Sequence, residues 1–343
     1  MKIFISVLCI VFAVFLIAEP KAASAAVGGA VGDCLNVIVP SLFAFTALSI
    51  YLQKSGLYRV ALRPLTYPLS KLLRMDEELC AVFVLANIGG YPVGARLLSE
   101  LVEQGRLSAK DAGRMLCCCF GSGPSFVVGI AGMCVFDSAG AGLALFAVCF
   151  LTSLMMAAIV RAGGEVMFKK ADSRFDLSAD AFVSSVTGSA RVMFTVCVMI
   201  VGFSAMTAIL KHIGLFSLSE RLLGSAEIFP ALLEVTRIKD VLPTRYALPI
   251  CAALLSFGGV CVQLQIKALA KGIPLRRFFV SRAVAAALSA LLAMPFSRKF
   301  TAEIPVIAPN TVSEPFTKNA VLSLCVLIMC GILLAGARKS SAP

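Results

Sequence analysis

Residues 87–129 read NIGGYPVGARLLSELVEQGRLSAKDAGRMLCCCFGSGPSFVVG, and two breaks within them decide how the chain is read. The first is Gly89-Gly90-Tyr91-Pro92-Val93-Gly94 and the second Gly121-Ser122-Gly123-Pro124, each set in a segment otherwise apolar enough for lipid. Glycine frees the backbone and proline removes a donor, so each break leaves N–H and C=O groups without helical partners. Hydrocarbon cannot satisfy them. At membrane depth such breaks survive only where protein or a water-filled cavity covers them, and paired breaks in two halves of a chain point to a transporter's binding site.

Composition agrees. Of 343 residues 59% are hydrophobic, the mean hydropathy is +0.93, and long runs lack charge, so the chain is an all-α polytopic membrane protein whose first partner is the lipid bilayer. A net charge of +12 would suggest nucleic acid in a soluble protein. Here the Lys and Arg sit between apolar runs, where cytoplasmic loops collect them, and no basic patch is interleaved with exposed aromatics, so nucleic acid is not a partner. The thirteen cysteines form no C-x-x-C pair. Cys117, Cys118 and Cys119 point about 100° apart on a helix and cannot converge on one metal, so they read as small buried hydrophobes. The sequence calls for no metal, cofactor or catalytic group.

In order along the chain, residues 1–26 hold a short apolar run behind Lys2 and then Ala23-Ser24-Ala25, either a first helix or a signal-like segment. Val27 to Leu52 spans, and Gly28-x-x-x-Gly32 is expected to pack closely on a neighbour. Lys54 to Arg74, with Pro64 and Pro68, reads as interfacial. Leu79 to Leu98 reads as a re-entrant element, followed by Arg96, Glu100 and Glu103 on an amphipathic surface stretch. Ala112 to Phe136 crosses with a break, Leu143 to Val160 crosses back, and 166–182 forms a polar loop. Val183 to Leu210 spans again, Ile228 to Asp240 reads as a second re-entrant element, and Tyr246 to Ile266, Phe278 to Phe296 and Ala320 to Ala335 complete about eight transmembrane helices. With Lys2 inside, most of the 31 Lys and Arg residues fall on one side, Arg282 among them.

The halves 27–165 and 183–296 look related, with 297–343 a C-terminal loop and last helix. Leu48-Ser49-Ile50 through Lys54-Ser55-Gly56-Leu57 matches Phe203-Ser204-Ala205 through Lys211-His212-Ile213-Gly214-Leu215. In each half an interrupted element and then a Gly-rich span follow, which predicts an inverted repeat with a shared site near the midplane.

Gly90-Tyr91-Pro92-Val93-Gly94-Ala95, Gly123-Pro124-Ser125-Phe126, Glu234-Val235-Thr236 and Phe257-Gly258-Gly259-Val260-Cys261-Val262-x-x-Gln265, in that order, resemble the YlbJ-type sporulation integral membrane proteins. The resemblance runs from about Val27 to Phe296. It implies the "nucleoside recognition" or Gate domain, shared with concentrative nucleoside transporters, spore maturation proteins and the ferrous-iron transporter's membrane part. It further implies a multi-pass protein of the mother-cell or forespore membrane, needed for the spore cortex or coat. The chain departs from the family where Phe120-Gly121-Ser122 replaces an Asn-containing polar stretch, where Arg237-Ile238 stands in place of an early Gly, and where Cys261 replaces Ser.

The substrate-binding candidates are therefore Asn87, Gly89, Gly90, Tyr91, Pro92, Gly94, Ser122, Gly123, Pro124, Glu234, Thr236, Gly258, Gly259 and Gln265. Their ligand would be a small polar solute, and a coupling cation and a homo-oligomer are compatible with the pattern. Gly258, Cys261 and Gln265 share a face if one helix carries all three. Glu234 is either an intramembrane site carboxylate or a surface partner of Arg237 or Lys239. Asn87 is a ligand or a helix–helix hydrogen bond, Asp33 packs or solvates near the outer interface, and Tyr91 and Pro92 shape a turn or line a cavity. An intramembrane serine protease would need a base within reach of Ser122, and the lone His212 ends a span. The alternative to a transporter-like protein is a non-transporting membrane scaffold for spore-envelope assembly.

Overall fold

The computed structural model describes residues 13–300 except 15, 16, 18, 170–174, 213, 215, 217–226 and 242–245. The expected span 320–335 and most of 3–18 lie outside the described residues. Helix α1 (Pro20–Ser55) leads through a single turn to α2 (Arg63–Leu73). Then come α3 (Glu77–Gly89), α4 (Tyr91–Glu103), α5 (Ala109–Met115), α6 (Pro124–Val135) and α7 (Ala139–Ala162). The second half holds α8 (Ala179–His212), α9 (Ile228–Leu233) with a 3-10 turn at Val235–Asp240, α10 (Ala247–Phe257), α11 (Gly259–Leu269) and α12 (Arg276–Ala293). Five stretches are long and apolar enough to cross a membrane: α1, α7, α8, α10 with α11, and α12 with its 3-10 extension. Where a broken crossing is expected from Ala112 to Phe136, α5 ends at Met115 and α6 is a shorter apolar helix, Pro124–Val135.

Local chemistry sets the boundaries. The Asp76 carboxylate accepts from Glu78 N at 2.9 Å to start α3, and Glu77 and Glu78 meet the positive end of its dipole. Gly90, at φ 93°, stops α3, and Pro92 in the first turn starts α4. The two legs fold back on each other, and Arg106 grips Glu78 at 2.6 Å across the open end. Legs of 13 residues reach roughly 20 Å, short of a full crossing, as the re-entrant reading of 79–98 expects. Every residue from Glu78 to Asn87 is buried, so α3 is a core helix without a solvent or lipid face.

The two halves pack as mirror partners in chain order. Helix α1 lies against α8, α7 against α12, α4 against α11, and α6 against the 3-10 turn of the second hairpin. Along the α1–α8 contact, Cys34 sits by Cys197, the Ser189 hydroxyl donates to Phe43 O at 3.1 Å, and Lys54 donates to Ser184 at 3.1 Å. Residue numbers rise on one helix as they fall on the other, so the equivalent first spans run antiparallel. The α7–α12 pair is antiparallel too, since Cys149 and Ala285 lie at one level and Gly163 and Arg276 at another. Gly56 and Gly214 both take φ 75° and close their spans with an N–H bonded three residues back, to Gln53 O and Lys211 O.

Three expectations change. Among the described residues nothing lies within 4 Å of a Cβ built on Gly28 or Gly32, so that spacing mediates no close packing among them. Glu100 is buried, paired with Lys54 at 3.4 Å and Arg96 at 3.9 Å, because its helix is a hairpin leg packed against α1 rather than a surface strip. Arg282, counted with the basic residues of one side although it falls within the expected span Phe278 to Phe296, is 2% exposed in the body of α12, where its side chain turns to the core.

Candidate functional site

Both hairpin tips, both broken spans and the α1–α8 pair converge on one cavity. It is lined by Ile38, Leu42, Tyr91, Pro92, Gly123, Phe126, Val196, Ile200, Glu234, Val235, Thr236, Val262 and Gln265. Six of the fourteen residues expected at a site are therefore wall residues: Tyr91, Pro92, Gly123, Glu234, Thr236 and Gln265. The cavity is narrow, about 30 Å³, which suits one or two waters. Stretches of π-helix interrupt α1 at Cys34–Ile38 and α6 at Val127–Val135, and they bring Ile38 and the neighbouring Phe126 to its edge. Such wide turns concentrate at functional sites.

Among the described residues Glu234 is the one carboxylate on this wall, and it is 1% exposed. It stands at the turn between α9 and the 3-10 segment, with extended backbone at φ −140° and ψ 111°. One carboxylate oxygen accepts from Thr236 N at 3.0 Å and the other from the Thr236 hydroxyl, so the acid caps its own turn. The surface alternative is overturned. Arg237 pairs with Asp240 at 3.5 Å and Lys239 with Asp33 at 2.8 Å, which leaves Glu234 without an ion pair among the described residues. Asp33 is held in that bridge on α1 rather than simply solvated.

The remaining candidates build the frame. Asn87 donates to Phe83 O at 2.8 Å and Cys118 O at 3.4 Å, and Gly121 lies against its side chain, so Asn87 staples α3 to the segment before the second break. A Cβ on Gly94 would strike the Cys119 carbonyl, and one on Gly89 would meet Val93 and Ser49. Gly123 abuts Ile88 O and Gly90, and Pro124 opens α6. Gly258 and Gly259 have φ 81° and 71°; the first faces the Phe120 ring and Tyr91, the second Val235 N. Their conformation ends α10 and restarts the helix as α11, so Gly258 does not share a helix face with Gln265. Gln265 instead points its amide to Cys261 Sγ at 3.3 Å within α11.

Ser122 lies on the far side of the second break, in a polar niche of about 10 Å³ with Thr152, Ser153, Ser256 and Arg282. Among the described residues its buried hydroxyl makes no hydrogen bond of normal geometry. His212 is half-exposed at the end of α8, 4.0 Å from Glu19.

Arg282 is the feature that the sequence reading missed. It donates to Cys117 O and, at 3.4 Å, to Ser256 O, the carbonyls just before the breaks in the first and second halves. Its guanidinium stacks over Phe120 at 4.6 Å and Phe278 at 5.1 Å. One side chain thus satisfies backbone acceptors that both interrupted spans leave over, and it ties the halves together. Tyr91 adds a second tie, its hydroxyl donating to Leu255 O at 2.8 Å. The available signal was an arginine five residues beyond the Arg276-Arg277 pair, already inside an apolar run.

No family model matches the chain, and no solved structure does. Over 152 residues it is 27% identical to the sporulation integral membrane protein YlbJ of Bacillus subtilis (strain 168), a stretch covering 43% of this chain. The match spans 36% of that relative's own length. The chain is a polytopic membrane protein with this distant similarity to a YlbJ-like sporulation membrane protein.

Proposed function

We propose that the chain is a transporter-like membrane protein of endospore formation, built on a Gate-like inverted repeat, that moves a small polar solute past Glu234. The observation that carries this reading is the Glu234 carboxylate, buried at a hairpin turn beside the cavity and free of any ion pair among the described residues. A charge at such depth is costly, and ionisable groups within membrane segments mark substrate and ion pathways. Antiparallel halves that exchange their hairpins and broken spans supply the geometry of alternating access, in which one unit rocks against the other around a fixed site. The Thr236 hydroxyl and the Gln265 amide add groups that can hydrogen-bond a solute, and the carboxylate suits an amine, a hydroxyl or a coupling cation. The sporulation part of the reading draws on the similarity to the relative so named.

The cavity as it stands admits only water-sized species, so passage of a larger solute requires its walls to part. Uptake of labelled polar solutes into proteoliposomes carrying the purified protein tests the reading. Time-dependent, saturable accumulation that Glu234→Gln removes supports it. Vesicles no more permeable than protein-free ones across a broad solute panel, together with capture of spore-envelope proteins by the membrane-embedded chain, would establish the scaffold reading instead.

A further inference from the structure

A separate groove lies where the C-terminal end of α7 meets the N-terminal end of α12, away from the Glu234 cavity. It encloses about 450 Å³. Its walls are apolar, chiefly Ile159 and Val160 on α7 and Val280 and Val284 on α12. Ile159, Val280 and Val284 are each more than two-fifths exposed, so the groove opens outward along a surface that hydrocarbon covers in a membrane protein. Arg276 and Arg277 also line it.

Charge at that end is one-sided. Arg276 and Arg277 occupy the first turn of an 18-residue helix, beside N–H groups that no side chain caps and at the end where the helix dipole is already positive. Neither arginine forms a hydrogen bond or ion pair among the described residues. The flanking carboxylates are engaged elsewhere, Asp111 with Arg114 at 3.0 Å and Glu165 with Arg161 at 3.2 Å. The sequence has no Asp or Glu between Asp240 and Glu303, while Lys267 in the last turn of α11 and Lys271 in the loop that follows add charge. Two guanidiniums and a bare helix terminus over an apolar trough complement a phosphodiester joined to acyl chains, because guanidinium meets phosphate through paired donors and the trough takes the chain.

We propose that this groove is a binding site for an anionic glycerophospholipid of the leaflet facing the basic loops, with its phosphate at Arg276 and Arg277 and an acyl chain along Val280 and Val284. The site is independent of the solute pathway. Basic pockets between membrane helices hold anionic headgroups for the same reason.

The chain contains no tryptophan, which makes the test direct. A single Val280→Trp substitution places the only indole in the groove, and Phe194→Trp places it on the exposed side of α8 as a control. Each variant is reconstituted in phosphatidylcholine vesicles containing a minor fraction of phosphatidylglycerol, with one or the other lipid brominated in its acyl chains. Brominated phosphatidylglycerol should quench the Val280→Trp variant with an apparent preference on the order of tenfold over brominated phosphatidylcholine, and the control with none. Adding Arg276→Gln and Arg277→Gln should abolish the preference while fluorescence from the folded protein persists. Equal quenching by both lipids at Val280→Trp would overturn the site. So would loss of the preference on adding millimolar glycerol phosphate, which would assign the arginines to a soluble anion.

Discussion

The first-half hairpin, α3 and α4, has legs of 13 residues and turns on a glycine, whereas its second-half counterpart has legs of six residues and turns on Glu234. Around the first turn nearly every polar group is backbone, and the side chains are packed: Gly94 against Cys119, Gly123 against Ile88 O, Asn87 bonded to two carbonyls. Around the second, side chains face the cavity: Glu234 and Thr236, with Gln265 opposite. The two hairpins thus differ: the first packs its glycines and Asn87 into a frame and brings Tyr91 and Pro92 to the cavity, while the second half brings the cavity a carboxylate, a hydroxyl and an amide. Substitutions at matched positions should separate these roles, with stability costs that fall from the first half to the second.

The largest loss should follow Gly94→Leu. The new Cβ runs into the Cys119 carbonyl and Ala86, backbone and core that cannot yield, so the cost should be about 3 kcal/mol or more. Membrane abundance and the unfolding temperature in detergent should both collapse. Gly28→Leu, facing open space, should leave both near wild type. Normal abundance for Gly94→Leu would mean that the first hairpin is not the frame. Next comes Gly90→Leu, whose φ of 93° with ψ of 172°, a backbone region essentially open to glycine alone, and 3.0 Å approach to Leu42 strain the tip at roughly 1–3 kcal/mol while the helices around it remain paired. It should insert and accumulate yet fail to support heat-resistant spores.

Arg282→Ala probes the join between the halves. Removing the guanidinium strands the Cys117 and Ser256 carbonyls in the core, at about 1–3 kcal/mol for each unsatisfied group that water cannot reach. Arg282→Lys should fall between alanine and wild type, since an ammonium reaches one carbonyl but cannot fork between two. Thermal unfolding of the purified variants orders them, and an unchanged midpoint for alanine would show that other contacts hold the halves.

Much of this frame was legible in the sequence because its determinants are local. Gly90 with Pro92, Gly121 to Pro124 and Gly258-Gly259 announce their breaks whatever surrounds them, and Gly56 and Gly214 announce the ends of their spans. What escaped was set by contacts distant in the chain. Nothing near Gly28 and Gly32 says that no described residue approaches them, and nothing near Lys239 says that its partner is Asp33 on α1. Arg282 fell within the expected span Phe278 to Phe296, yet in sequence it is no more than one further charge of the basic side. Its role depends on carbonyls 26 and 165 residues away. Glu234 lay in between: the residue was legible as a site candidate, but only its burial and the pairing of Arg237 and Lys239 with other acids remove the surface alternative.

The smallest cost in stability, and the sharpest division between the halves, is expected for Glu234→Gln. The amide oxygen can keep accepting from Thr236 N, and its nitrogen can donate to the Thr236 hydroxyl, so the turn retains both contacts. Stability should change by no more than about 1 kcal/mol, the net worth of one exchanged hydrogen bond. What disappears is the charge, and a frame residue would not register that change. Arg237→Gln is the matched control, because its 3.5 Å pair with Asp240 is partly exposed and such pairs contribute about 0–1 kcal/mol. Heat-resistant spore counts and membrane abundance, measured side by side, should show normal protein in both strains and a loss of spores only for Glu234→Gln. Wild-type counts with Glu234→Gln would make this carboxylate a turn cap and nothing more, and the second hairpin would then be frame like the first.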